Sequence, residues 1–153
     1  LRRQRQMCIR DRYYKAFDIC NDSKNKGDIT PFIYSFIDII KNAAKSSLEN
    51  LESLKQRLEY YSTIHENIYN FFENDLQSKI VYILIQNALF SSKGVFIEEL
   101  KHHLECSEAT IRKNIKSLIK HGLIITTERE KNKMLYELSL DDFEQFAENI
   151  QQL

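Results

Sequence analysis

Nine side chains between residues 110 and 133 have the types and spacing to hold a nucleic acid: Thr110, Arg112, Lys113, Lys116, Lys120, Arg129, Lys131, Asn132 and Lys133. Lys and Arg neutralise phosphates and release condensed counterions, while Thr and Asn offer a hydroxyl and an amide to base edges or backbone oxygens. The cations come in two groups. Four lie along one helical stretch, mostly opposite the apolar residues Ile111, Ile115, Leu118 and Ile119, and three lie in a polar turn beyond it. Thr110, Arg112, Lys113 and Lys116 could face a major groove, with Lys131, Asn132 and Lys133 on the flanking backbone. The same charges suit a solvated face on a module used for protein contact or dimerisation.

Positioning these groups falls to the elements around them. In the stretch from 96 to 133, Phe96, Ile97, Leu100 and Leu104 recur at helical spacing. Glu105-Cys106 makes a short turn, and Ser107 is placed to cap the next helix. Gly122 stands where a helix C-cap needs positive φ. Leu123 to Thr127 alternates and is β-branched, as a strand should be, then 128–133 is a polar turn and 134–138 the returning strand. Ser107, Thr110-Ile111, Ile115, Leu118 and Gly122-Leu123-Ile124 resemble the winged-helix pattern S-x-x-T-I/V-x-x-x-I/L-x-x-L-x-x-x-G-L/I-I/L. The resemblance covers residues 76–140, whose ten basic and seven acidic side chains net +3. It implies double-stranded DNA as a partner.

Composition narrows the class. One Pro and three Gly in 153 residues argue for a mainly helical protein with few loops, and 42% hydrophobic content allows a packed core. No apolar run approaches a membrane span. Cys8, Cys20 and Cys106 are far apart, without C-x-x-C spacing, so reduced thiols and a cytoplasmic location are expected rather than a disulfide scaffold. His102 and His103 have no Cys or His partner at ligand spacing and read as exposed polar residues, so no metal site is expected.

Residues 1–12 read as foreign. Arg2 to Arg12 back-translates to a nucleotide string that resembles the transposon-end adapter of sequencing-library preparation, so the segment is expected to be adapter-derived and not native. Without its five Arg and one Asp, the chain holds 17 basic and 21 acidic residues, a net charge of −4 with His neutral. The rival reading of these residues is a basic arm for nucleic acid.

In residues 13–45, YYKAFDIC ends a helix, a polar loop follows, and Thr30-Pro31 marks a new start, with Thr30 as cap and Pro31 at the first helical position. YYKAFDIC followed by GDITPFIYSFIDII resembles the C-terminal end of the Fic catalytic core over residues 13–41. That resemblance implies a parent enzyme transferring AMP from ATP, with Mg2+, to a hydroxyl of a target protein. The Fic motif H-P-F-x-D/E-G-N-G-R, with its general base and phosphate-cradling loop, is absent: Gly27, Gly94 and Gly122 are each isolated. No catalytic residue carries over, no cofactor is expected on this segment, and the chain by itself is predicted inactive. The alternative is a winged-helix transcriptional regulator with a helical dimerisation arm.

Residues 46–74 form a linker helix. Leu51, Leu54, Leu58, Tyr61, Ile68 and Phe72 follow three- and four-residue steps, suiting either a fold-back hairpin against 31–45 or a homodimeric coiled coil. Ser46 with Glu49 makes a possible capping box, which favours a break and the hairpin. His65, at a seam position, reads as a hydrogen-bonded interface histidine. Ser62, Glu66 and Asn67 fit the S/T-x-x-x-E-G/N pattern of Fic inhibitory helices, but three loosely defined positions arise too readily by chance. The expected architecture is mainly α with a small β-wing: a helical hairpin, a winged helix-turn-helix over 75–140, and a last helix in 141–153 capped by Ser139 or Asp141.

Overall fold

The computed structural model describes residues 2–91, 93–130 and 133–152, with side chains for all of these except 2–9, 129 and 130. The elements are α1 (Arg2–Asn21), α2 (Thr30–Asn67), α3 (Asp75–Phe90), β1 (Val95–Phe96), α4 (Ile97–Leu104), α5 (Glu108–Lys120), β2 (Ile125–Glu130), β3 (Lys133–Leu138) and α6 (Leu140–Gln151). Two compact units divide between Glu52 and Ser53, inside α2.

In the first unit, α1 and the upstream part of α2 are joined by a turn in which the Asp22 side chain accepts the Lys24 N–H, with Lys26 and Gly27 at positive φ. Thr30 does not cap α2. The Asp28 carboxylate accepts the Thr30 N–H at 2.9 Å instead, because an Asp two residues ahead reaches that donor while Thr30 is already helical. Hydrogen bonding from the Thr30 hydroxyl, and then from its backbone N–H, holds the Asp28 carboxyl below its usual range. Phe32 meets Tyr13 and Phe17 edge-on and stacks on Phe36, so aromatic rings join the two helices.

The expected break at Ser46 is absent: α2 is continuous from Thr30 to Asn67. A capping residue must leave helical φ/ψ, and no Gly or Pro follows Pro31 within α2 to take the chain out. Leu, Glu, Lys and Gln on the C-terminal side of Ser46 favour continuation. The reversal of the hairpin lies between α1 and α2, and residues 31–45 and 46–67 belong to the same helix.

The second unit is a winged helix-turn-helix preceded by the downstream part of α2. Its three-stranded antiparallel sheet has the order β1-β3-β2. Val95 pairs with Tyr136 and Phe96 with Leu135, while β2 pairs with β3 from Ile125↔Leu138 to Glu130↔Lys133. The wing strands run further than residue preferences predict: Glu128 and Arg129 are in the ladder, not in the turn. A paired neighbour outweighs the poor strand propensity of charged residues. Phe96, expected at the head of the first helix, ends β1 instead, and Gly94 explains why this strand fits. A Cβ there would lie 2.6 Å from the Tyr136 carbonyl oxygen.

The core joins Ile80, Val81, Leu84 and Ile85 of α3, Ile97 and Leu100 of α4, Ile111, Ile115 and Leu118 of α5, and Phe143 and Phe146 of α6. α3 is buried on several sides, as its nearly all-round apolar surface requires. Tyr61 and His65 of α2, and Ile68 just beyond its end, are buried in this unit. Ser139 caps α6 by accepting the Asp142 N–H.

Candidate nucleic-acid interface

The turn between α4 and α5 sets the direction of the second helix. Glu105 closes α4 in the left-handed region at φ 50°, and Ser107 Oγ accepts the Thr110 N–H at 3.2 Å to start α5. Gly122, at φ 100°, ends α5, and the Leu123 N–H returns to the Leu118 carbonyl at 3.1 Å. Leu123 is then buried, so the chain is committed to entering β2.

Ile111, Ile115 and Leu118 point into the core, which turns Lys113, Lys116 and Lys120 outward along one line of α5. None of these lysines has an ion-pair partner among the described residues. Thr110 is exposed at the start of the helix, its hydroxyl 2.8 Å from that of Ser107. Ile119, expected in the buried face, is 43% exposed. It lies one position past Leu118, which turns it about 100° away from the core, towards Arg112 and Lys116.

Arg112 and Lys133 behave differently from the three lysines. Arg112 is half-buried, bridges to Glu108 at 3.5 Å and donates to the Tyr136 hydroxyl at 3.4 Å. Lys133, at the start of β3, bridges to Glu98 of α4 at 3.4 Å and lies 6.0 Å over the Phe96 ring. The Glu98 carboxyl is held below its usual range, first by its own backbone N–H and then by Lys133, with Arg112 adding to the effect. Of the remaining candidates, Lys131 and Asn132 lie outside the described residues, and for Arg129 only the strand backbone is described. The structure therefore brings Thr110, Lys113, Lys116 and Lys120 to one open face, with Arg112 and Lys133 beside it in ion pairs.

A polar bolt behind this face carries no mark in the nine candidates. Asn74 caps α3 by accepting the Gln77 N–H and donates to the Asn114 side-chain Oδ1 at 3.0 Å, while the Asn114 side chain donates to the Thr110 backbone carbonyl at 2.9 Å. At the other end of α5, His121 meets Glu73 at 2.9 Å. Hydrogen bonds from His121 and Ser117 hold the Glu73 carboxyl below its usual range. The signal for the bolt is Asn114 itself, a polar residue between Ile111, Ile115 and Leu118 on a face otherwise apolar.

Residues 77–131 match a protein family described as an HTH domain. A comparison with curated proteins found no match. The family match spans α3 to the wing and does not reach residues 13–41, so it adds nothing to the Fic resemblance. No group of three or more His, Cys, Asp or Glu side chains suited to a metal ion occurs among the described residues. No helix among them is long and apolar enough to cross a membrane.

Proposed function

We propose that this chain is a DNA-binding winged-helix module of a cytoplasmic transcriptional regulator, with α5 entering the major groove and the wing lying on flanking backbone. The observation that carries the reading is the outward line of Lys113, Lys116 and Lys120 on the second helix of a helix-turn-helix, with no ion-pair partner among the described residues. Such unpaired cations are what phosphate neutralisation requires. Thr110, at the exposed N-terminal end of α5, sits where recognition helices meet base edges. Arg112 and Lys133 are tied to Glu108 and Glu98, so they contribute less than the three lysines unless DNA draws them away. An AMP-transfer role for residues 13–41 rests on the resemblance alone and no feature of the fold favours it.

Fluorescence anisotropy with labelled duplex DNA tests the proposal. Affinity should fall steeply with salt, and Lys113→Ala/Lys116→Ala should weaken binding and shallow the log–log salt slope by about two. Absence of binding at low salt, or binding unaffected by the double substitution, overturns it.

A further inference from the structure

We infer that the upstream part of α2 is a self-association surface, covered in solution by the same helix of a second copy of this chain. Ile33, Ile37, Ile40, Ala44, Ser47 and Leu51 follow alternating steps of four and three residues, and Leu54, Leu58, Tyr61, His65 and Ile68 continue the steps unchanged. From Ile33 to His65 that is one heptad seam along one continuous helix, and Ile68 lies one residue beyond the helix end. Its two parts differ in what covers them. Tyr61, His65 and Ile68 are buried within their own unit, whereas Ile33, Ile37, Ile40 and Leu51, with Phe36 and Leu48 beside them, are each 45–62% exposed.

The exposed area is of the size an interface needs. Six large apolar side chains at about half exposure present roughly 100 Å² each, so pairing two copies removes about 1,200 Å², the lower end of the range for specific interfaces. The pattern is also suited to pairing with itself. Small Ala43, Ala44 and Ser47 lie between bulky Ile33–Ile40 and Leu48–Leu51, so a twofold near Ala44 sets small against small at the closest approach and bulky against bulky outside it.

Charge favours a protein partner over a lipid surface. Residues 30–52 carry Lys41 and Lys45 against Asp38, Glu49 and Glu52, which lacks the Lys/Arg-rich polar face of a helix that binds anionic membranes. The mixed signs also leave two copies with little mutual repulsion. Self-association would give each particle two helix-turn-helix units. It is independent of the proposed DNA binding, because the seam is built outside the family match.

Sedimentation equilibrium of the full chain over a wide concentration range gives the test, with Ile40→Glu and Leu51→Glu as seam variants and Asn42→Glu as a polar-face control. The wild type and Asn42→Glu should reach dimer mass, while each seam variant should weaken association by about a hundredfold or more with helix content by circular dichroism retained. Wild-type mass that stays monomeric, dimers that survive both seam substitutions, or equal weakening by Asn42→Glu overturns the inference. So does a monomer that pellets with anionic phospholipid vesicles, which would assign the seam to a membrane. Loss of helix content in the seam variants also counts against it, since these positions would then be needed within one copy.

Discussion

The two units have a similar apolar content and differ in how their apolar faces are closed. In the unit from Ser53 onward, Leu100, Ile111, Ile80 and Phe143 have no measurable exposure, because four helices and a sheet surround one centre. In the unit ending at Glu52, Ala16 is the one apolar side chain among the described residues that is fully enclosed, and Ile33, Ile37 and Ile40 remain about half exposed. Both have amphipathic helices at regular spacing. Periodicity therefore specifies which side of a helix is apolar, and topology decides whether anything covers it. A fold with four helices and a sheet converging on one core can be stable alone; two helices joined by aromatic rings depend on further contacts.

The largest expected effect tests that contrast directly. Leu100→Ala should cost about 3–5 kcal/mol, since the side chain is enclosed between α3, α4 and α5 and leaves a cavity. Ile40→Ala, at a chemically similar deletion, should cost a monomer no more than about 0.5–1 kcal/mol, close to surface values. Urea unfolding followed by circular dichroism compares the two. Equal losses would mean that the first unit has a core of its own. Next in size is Gly94→Ala. The Tyr136 carbonyl sits where the new methyl must go, so β1 has to move off β3 at a cost of about 1–3 kcal/mol. A change near zero in the same assay would show that β1 adds nothing to the unit.

Local chemistry made much of the second unit legible. Ser107 and Ser139 cap because their hydroxyls reach N–H groups three residues on, and Gly122 terminates α5 because left-handed backbone suits glycine. Each of those signals is complete within a few residues. What escaped depends on distant partners. β1 is two residues long and exists only because Leu135 and Tyr136 lie beside it, some forty positions away. The Asn74–Asn114 bond is equally remote in sequence, and Glu98 and Lys133 meet only after the wing folds back towards α4. Ser46 failed in the opposite way. Its capping box is a valid local signal, but the same residues are acceptable inside a helix, and no breaker forces the choice. For the interface, the types and the helix face of the lysines were readable, whereas the pairing of Arg112 and Lys133 with carboxylates was not.

The smallest effect concerns the place where the α2 seam passes from open to covered. His65 is buried between Phe72 and Tyr82, with Nε2 3.0 Å from the Ser78 carbonyl oxygen. The Ser78 hydroxyl also lies 3.2 Å from Nε2; in the tautomer whose Nε2–H donates to the carbonyl, protonation places the second proton on Nδ1. Burial lowers the His65 pKa, and the Ser78 carbonyl and Glu66 oppose it only in part. The unfolded chain, with His near 6.5, then binds a proton that the folded chain refuses, so this residue favours folding above about pH 6.5 and the advantage declines as pH falls towards the lowered folded value. The slope can reach at most about 1.4 kcal/mol per pH unit for one such group. The Glu73, Asp75 and Glu98 carboxyls are likewise held below their ordinary values, so their stabilisation is lost only in a more acid range. His65→Phe keeps a ring against Phe72 and Tyr82, and the Ser78 carbonyl lies within α3 with a helical partner of its own. Urea midpoints measured between neutral pH and the onset of carboxylate protonation should fall for the wild type and stay flatter for the variant. Parallel profiles would show that the covered end of the seam tolerates charge, and that burial there is looser than in the core around Leu100.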